Sequence, residues 1–229
     1  MRMNLLEQSH KKTALQIILL YIFVQLATVL AGQLLPEFLP ERFLTEGVIW
    51  SQLILFTLGA SGVIYLTQKK DFSLSFEKPF KSNISEILLW GFIGFIFALF
   101  AQFAATLIEI NFLGTPPDSQ NTQNIIAIIK RYPYFLLLSS IAGPIMEEFV
   151  FRKAIFGMGL NKLGGIGAAV ISSLMFAVIH FDGRILVYST MGLVFSWLYF
   201  KTKNIWTPII AHCLMNTVAV VANLFLIAD

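Results

Sequence analysis

The chain has 229 residues, of which 57% are hydrophobic and only 13% charged, and its mean hydropathy is +0.76. Soluble domains carry about 45–50% apolar and about 25% charged residues, so this composition excludes a soluble fold and identifies an integral membrane protein. A net charge of +3 would hint at nucleic acid in a soluble protein. Here it reflects Lys and Arg in loops on one side of a bilayer, so the first partner expected is lipid and no nucleic-acid partner is expected.

Arg2, Lys11 and Lys12 precede an apolar run at about 14–35 that carries Gln16, Gln25 and Gln33 and has no small-residue cleavage signal. It reads as a first membrane helix rather than a signal peptide. Further apolar runs fall at about 47–67, 86–108, 133–160, 163–181, 185–200 and 204–228. Each is near the roughly 17–25 residues needed to cross, 185–200 being slightly short. In lipid such runs satisfy their backbone groups only as helices. The expected fold class is all-α: a single polytopic membrane helix bundle over 1–229 with about seven transmembrane helices, six to eight at the limits.

The basic residues set the orientation. With the N-terminus inside, those of the leader and of the 68–83 loop, together with Arg152, Lys153, Lys162, Lys201 and Lys203, face the cytoplasm; Arg42, Lys130, Arg131 and Arg184 fall outside. Without an organelle signal, the expected location is a bacterial plasma membrane, multi-pass, N-terminus cytoplasmic. Loop 36–46 is a polar outer connection, loop 68–83 a topology determinant, and 111–132 a long connector or lid with a short helix over 124–131. Glu109, Asp182 and Arg184 read as interfacial, and the 22 Phe as lipid-facing filler. The single Cys213, in an apolar run beside His212, excludes an internal disulfide and reads as a buried thiol.

The chemistry is concentrated in the second half. Glu147, Glu148 and Arg152 lie inside an apolar run, where a charge costs roughly 2.5–3.5 kcal/mol on insertion scales and is by default functional. On a helix Glu148 and Arg152 are i and i+4 and can pair, while Glu147 lies about 100° round and can face a bundle interior. Pro144 is expected to kink the helix just before them. His180 ends the next run, and His212 and Asn216 share a face of the last. At 1.5 Å per residue these side chains reach similar depths, compatible with one site. No serine or cysteine pattern suits a triad; Ser139, Ser140, Ser172 and Ser173 read as packing or back-bonding residues. The natural chemistry of the set is attack of activated water on a carbonyl. A desolvated glutamate takes the proton, a histidine shares that task or binds metal, and a His/Asn pair donates to the oxyanion. A divalent metal such as Zn2+, held by His180, His212 and Glu147 from three separate helices, is the alternative way to activate that water.

Glu147-Glu148-x-x-x-Arg152, Phe176-x-x-x-His180 and His212-x-x-x-Asn216, in this order on three membrane helices, resemble the CAAX protease and bacteriocin-processing (Abi) family of intramembrane endopeptidases, which includes the CAAX prenyl endopeptidases. The resemblance runs from Pro144 to Asn216 and weakens in the first 110 residues. It implies a catalytic core over 133–227 with a cavity open to one membrane face, acting on a peptide or protein substrate that in eukaryotes is lipidated. It implies Glu147 as general base, His180 as its partner in activating water or ligating metal, and His212 with Asn216 as the oxyanion site. Glu148 and Arg152 are the supporting pair, and the resemblance leaves open which glutamate is essential. Peptide maturation or bacteriocin immunity is the role it implies for a bacterial member. The rival readings are a non-catalytic membrane protein that binds a peptide or sensor kinase, and a proton-coupled transporter, which the lack of paired broken helices in the two halves disfavours.

Overall fold

The computed structural model describes residues 2–77, 83–116 and 119–226, with side chains from 8 to 224. Lys78 and Lys81 of the basic 68–83 loop and Pro117 and Asp118 of the 111–132 connection lie outside the described residues, as does the side chain of Arg2. Among the described residues there is no strand. Three long helices come first: α1 (Arg2–Phe38), α2 (Glu41–Lys69) and α3 (Ile84–Leu113). A short α4 (Gln120–Arg131) follows, with Ser119 accepting the Thr122 N–H as its N-cap.

The apolar stretch Pro133–Val178 then folds as a hairpin of two helical arms. Its first arm runs through a 3-10 turn (Pro133–Phe135), a π-helical turn (Leu138–Ala142), α5 (Gly143–Glu148) and a second π-helical segment (Phe149–Phe156) into α6 (Gly157–Val178). The reversal is made at Gly164, whose φ of 66° and ψ of 174° are closed to residues with a Cβ. The arms are zipped by Ser172 Oγ, which donates to the Phe151 carbonyl at 2.6 Å, and by the Phe151 and Phe176 rings, edge to face at 5.4 Å. Two further helices, α7 (Ile185–Thr202) and α8 (Trp206–Leu226), complete the bundle. α1, α2, α3, the Pro133–Val178 stretch and α8 are long and apolar enough to cross a membrane. With the stretch divided at Gly164 and the shorter α7 added, seven helical arms stand in the all-α bundle that the sequence predicts.

Several expectations need correction. The sharp turn lies at Gly164, while the chain stays helical through Pro144 because the preceding π-turn has already shifted the ladder by one residue: Gly143 N–H bonds to the Leu138 carbonyl. In that register the missing Pro144 N–H would have served Ser139, and Asn216 Nδ2 takes the orphaned Ser139 carbonyl instead, at 2.9 Å. Phenylalanine is divided between lipid and core. Phe23, Phe100 and Phe112 are exposed, but Phe149, Phe151, Phe156, Phe176 and Phe195 are buried, and Phe176 and Phe195 pack against the site residues Arg152 and His212. Glu109 and Arg184 are buried within the protein: Arg184 Nε lies 3.1 Å from Glu109 Oε2, and Glu109 Oε1 accepts the N–H groups of Leu186 and Val187 at the start of α7. Lys153 is likewise buried. It pairs at 2.6 Å with Glu77, which also accepts from the Tyr199 hydroxyl, so part of the 68–83 loop seals one end of the bundle. Ser172 makes a bond between helices, not back to its own.

Candidate active site

The second π-segment keeps Glu148 and Arg152 on one face, as their spacing requires. Glu148 Oε2 lies 3.2 Å from Arg152 Nε, and both side chains are fully buried. Glu148 Oε1 lies 2.9 Å from His212 Nδ1, so one carboxylate holds both a guanidinium and an imidazole. No guanidinium nitrogen of Arg152 has a hydrogen-bond partner among the described residues. The cation is balanced by the adjacent carboxylate and by the faces of Phe176 and Phe195, at 4.4 and 5.3 Å from its central carbon. Phe195 also stacks on His212 at 4.8 Å with planes 22° apart, fixing the imidazole from the side.

Glu147 is turned away from this buried pair. It keeps 17% side-chain exposure and its Oε2 lies 3.7 Å from His212 Nε2. It lines a cavity of about 370 Å³ together with His180, His212 and Asn216. The structure therefore brings Glu147, His180, His212 and Asn216 to one cavity, while Glu148 and Arg152 lie behind it. His180 Nδ1 is 2.8 Å from the Phe176 carbonyl, to which it can donate, and in that tautomer Nε2 carries the lone pair. A second cavity, of about 420 Å³, is bordered by Phe72, Glu77, Lys153 and Trp206 and holds none of the motif residues.

Glu147, His180 and His212, the expected metal ligands, share the cavity, but among the described residues no three His, Cys, Asp or Glu side chains are gathered closely enough to hold a metal ion. His212 Nδ1 is engaged by Glu148 and His180 Nδ1 by a backbone carbonyl, so each histidine has only Nε2 to offer.

The sequence reading missed the cavity's other walls. Gln25, Gln52 and Gln102 bring carboxamides from α1, α2 and α3, and Ser119, Asn121 and Thr122 bring polar groups from the start of α4. Gln25 was visible as a polar residue in an apolar run, but the run's length explained it away. Nothing local marked Tyr188 or Asp182, whose importance depends on the tertiary packing described below.

Two relatives match nearly the whole chain. A protein of Bacillus subtilis named "Putative membrane peptidase YdiL" is 37% identical over 216 residues, 91% of this chain and 88% of its own length. The "Membrane-embedded CAAX protease MroQ" of Staphylococcus aureus is 34% identical over 215 residues, 90% of this chain and 87% of its own. The model of the type II CAAX prenyl endopeptidase Rce1-like family matches residues 130–218. This chain belongs to the type II CAAX endopeptidase family of membrane proteases.

The family match encloses Glu147, Glu148, Arg152, His180, His212 and Asn216 and leaves α1, α2 and α3 outside it. The UPF0177 protein YaiH of Lactococcus lactis shares 31% identity over 99 residues, 42% of this CAAX-family chain. No solved structure matches.

Proposed function

We propose that the chain is an intramembrane endopeptidase that hydrolyses a peptide bond at membrane level with water activated by Glu147 and His180. The observation that supports this most is the division of labour between adjacent carboxylates. Glu148 is fully buried against Arg152 and His212, whereas Glu147 faces the cavity. The first is an anchor and the second is free to move a proton.

In this mechanism the Glu147 carboxylate removes a proton from a water molecule whose other hydrogen is accepted by His180 Nε2. The water oxygen bonds to the substrate carbonyl carbon, and the carbonyl π pair moves to oxygen. Asn216, which spends one Nδ2–H on Ser139, has its second to offer the oxyanion. His212 offers its Nε2, 3.7 Å from Glu147 Oε2, as the second group at the oxyanion. The pair then re-forms the carbonyl, the C–N bond breaks, and the amine leaves with the proton held by Glu147. A divalent metal such as Zn2+ would have to be held by Glu147, His180 Nε2 and His212 Nε2 and would supply Lewis-acid activation of the same water, but these side chains do not stand closely enough together here to hold one. The substrate is a peptide or protein segment reaching the membrane, lipidated or not, and peptide maturation or immunity is its biological setting. The chain works in the plasma membrane with its N-terminus inside.

The test is cleavage of a quenched fluorescent peptide library by purified protein in nanodiscs, with Glu147→Gln and His180→Ala beside wild type and with and without a chelator. Loss of roughly 10²–10⁴-fold in each variant is expected for general-base catalysis. Chelator sensitivity of wild type would assign the water to a metal. A well-folded wild type that cleaves no peptide would replace this reading with a binding or immunity role.

A further inference from the structure

His180 is not carried by a helix. α6 ends at Val178 and α7 begins at Ile185, and the turn between them passes through two residues with positive φ, Phe181 at 52° and Gly183 at 78°. A phenylalanine in that region is an outlier that persists only when its surroundings over-determine it. An imidazole on such a turn takes its direction from what packs on it. The Phe176 ring stands nearly edge-on to it at 4.7 Å, and the Tyr188 ring lies flat against it, centroids 3.8 Å and planes 21° apart. Tyr188 is itself held, its hydroxyl donating to Asp182 Oδ2 at 2.9 Å. The same oxygen accepts from Ser119 Oγ at 2.8 Å, and Ser119 is the N-cap of α4. Asp182 Oδ1 accepts the Arg184 N–H at 3.2 Å, which pins the turn from its other side. Tyr188 and Ser119 line the cavity, yet the chemistry above uses neither them nor Asp182.

We infer that Tyr188 is a positioning residue for His180, and that Asp182 joins this ring clamp to the start of α4, so that the direction of the imidazole and the placement of α4 beside the cavity are set together. The inference rests on the reading that His180 serves hydrolysis. Its physical basis is that the stacked ring removes rotation of His180 about its side-chain bonds, while a shared acceptor oxygen makes the clamp and α4 one hydrogen-bonded unit. Through Ser119, α4 thereby acts on the site.

The experiment measures kcat and KM on a peptide cleaved by wild type, for Tyr188→Leu, Tyr188→Phe, Ser119→Ala, the Tyr188→Phe/Ser119→Ala pair, His180→Ala and Tyr188→Leu/His180→Ala. Misplacing a catalytic group by about 1 Å can cost on the order of 10²-fold, so Tyr188→Leu should lower kcat roughly 10- to 100-fold with KM within about twofold. Tyr188→Phe keeps the stacked ring and loses one hydrogen bond, and should return to within roughly fivefold of wild type. In the His180→Ala background Tyr188→Leu should do nothing further, because the group it positions is gone. Ser119→Ala and Tyr188→Phe should be non-additive, since both break bonds to one oxygen. Equal losses in Tyr188→Leu and Tyr188→Phe, or a further loss on top of His180→Ala, would overturn the positioning role. Additive losses would overturn the link to α4. A fully active His180→Ala would instead remove the hydrolytic reading of His180 on which the inference stands.

Discussion

Arg152 is a single side chain, set behind the cavity, on which much of the site's packing depends. Its guanidinium is fully buried between two phenylalanine faces and one carboxylate, and that carboxylate also holds His212. Replacing Arg152 by Ala leaves Glu148 as a buried charge without its main compensation, which costs about 3–5 kcal/mol. The expected outcome is a large fall in the thermal unfolding midpoint in detergent, recovered in part by Arg152→Ala/Glu148→Gln, which removes the orphaned charge. An unchanged midpoint in the single variant would show that the pair does not hold the site. This pairing was legible in the sequence because i and i+4 on a helix fixes it locally, and it survives the π-helical geometry found there. The partners of Glu109 and Arg184 were not legible, because they lie 75 residues apart and meet only once α3 and α7 pack.

At the scale of elements, glycine and proline decide the path of the site-bearing hairpin. Gly164→Ala would place a Cβ where nothing lies within 4 Å, so its cost is purely that of the backbone at φ 66° and ψ 174°, about 1–3 kcal/mol. Gly192→Ala is the opposite case: its Cβ would stand 2.9 Å from Ser173 Cβ and 3.0 Å from Ser173 Cα, prising α7 from α6 at an overpacking cost of about 1–3 kcal/mol. Both should lower the unfolding midpoint, but a second-site Ser173→Gly, which removes the Cβ and Oγ contacts and keeps the Cα one, should give partial relief to Gly192→Ala and none to Gly164→Ala. Relief of both, or of neither, would contradict these assignments. The apolar runs showed where the arms of the bundle lie, because length and hydropathy suffice for that. They did not show the π-turns, since the slip of the ladder before Pro144 is rewarded by Asn216, a residue on α8.

For the whole molecule, the account has a bundle with its N-terminus inside, and the loop charges make that testable. Lys162, exposed near the hairpin turn, and Lys130, exposed at the end of α4, should lie on opposite sides of the membrane. With Cys213 replaced by Ser, a cysteine at 130 should react with an impermeant maleimide in intact cells, and one at 162 only after permeabilisation. The reverse pattern would invert the topology. Residue type and spacing made the six motif residues visible in the sequence, and the fold groups Glu147, His180, His212 and Asn216 at one cavity with Glu148 and Arg152 behind it. The sequence reading was weakest for the walls from α1, α2, α3 and α4, because a glutamine or serine has no fixed meaning until the cavity it faces exists.

The account turns on the different tasks of two adjacent glutamates, and a paired measurement of activity and stability on Glu147→Gln and Glu148→Gln addresses it most directly. Glu147→Gln should lose roughly 10²–10⁴-fold in kcat with its unfolding midpoint near that of wild type, because it gives up a base exposed to the cavity. Glu148→Gln should lower the midpoint together with activity, because it strips the fully buried Arg152 of its counter-charge. A Glu147→Gln enzyme that cleaves peptide within a few-fold of wild type, or a Glu148→Gln enzyme as stable as wild type but inactive, would reverse the assignment of base and anchor.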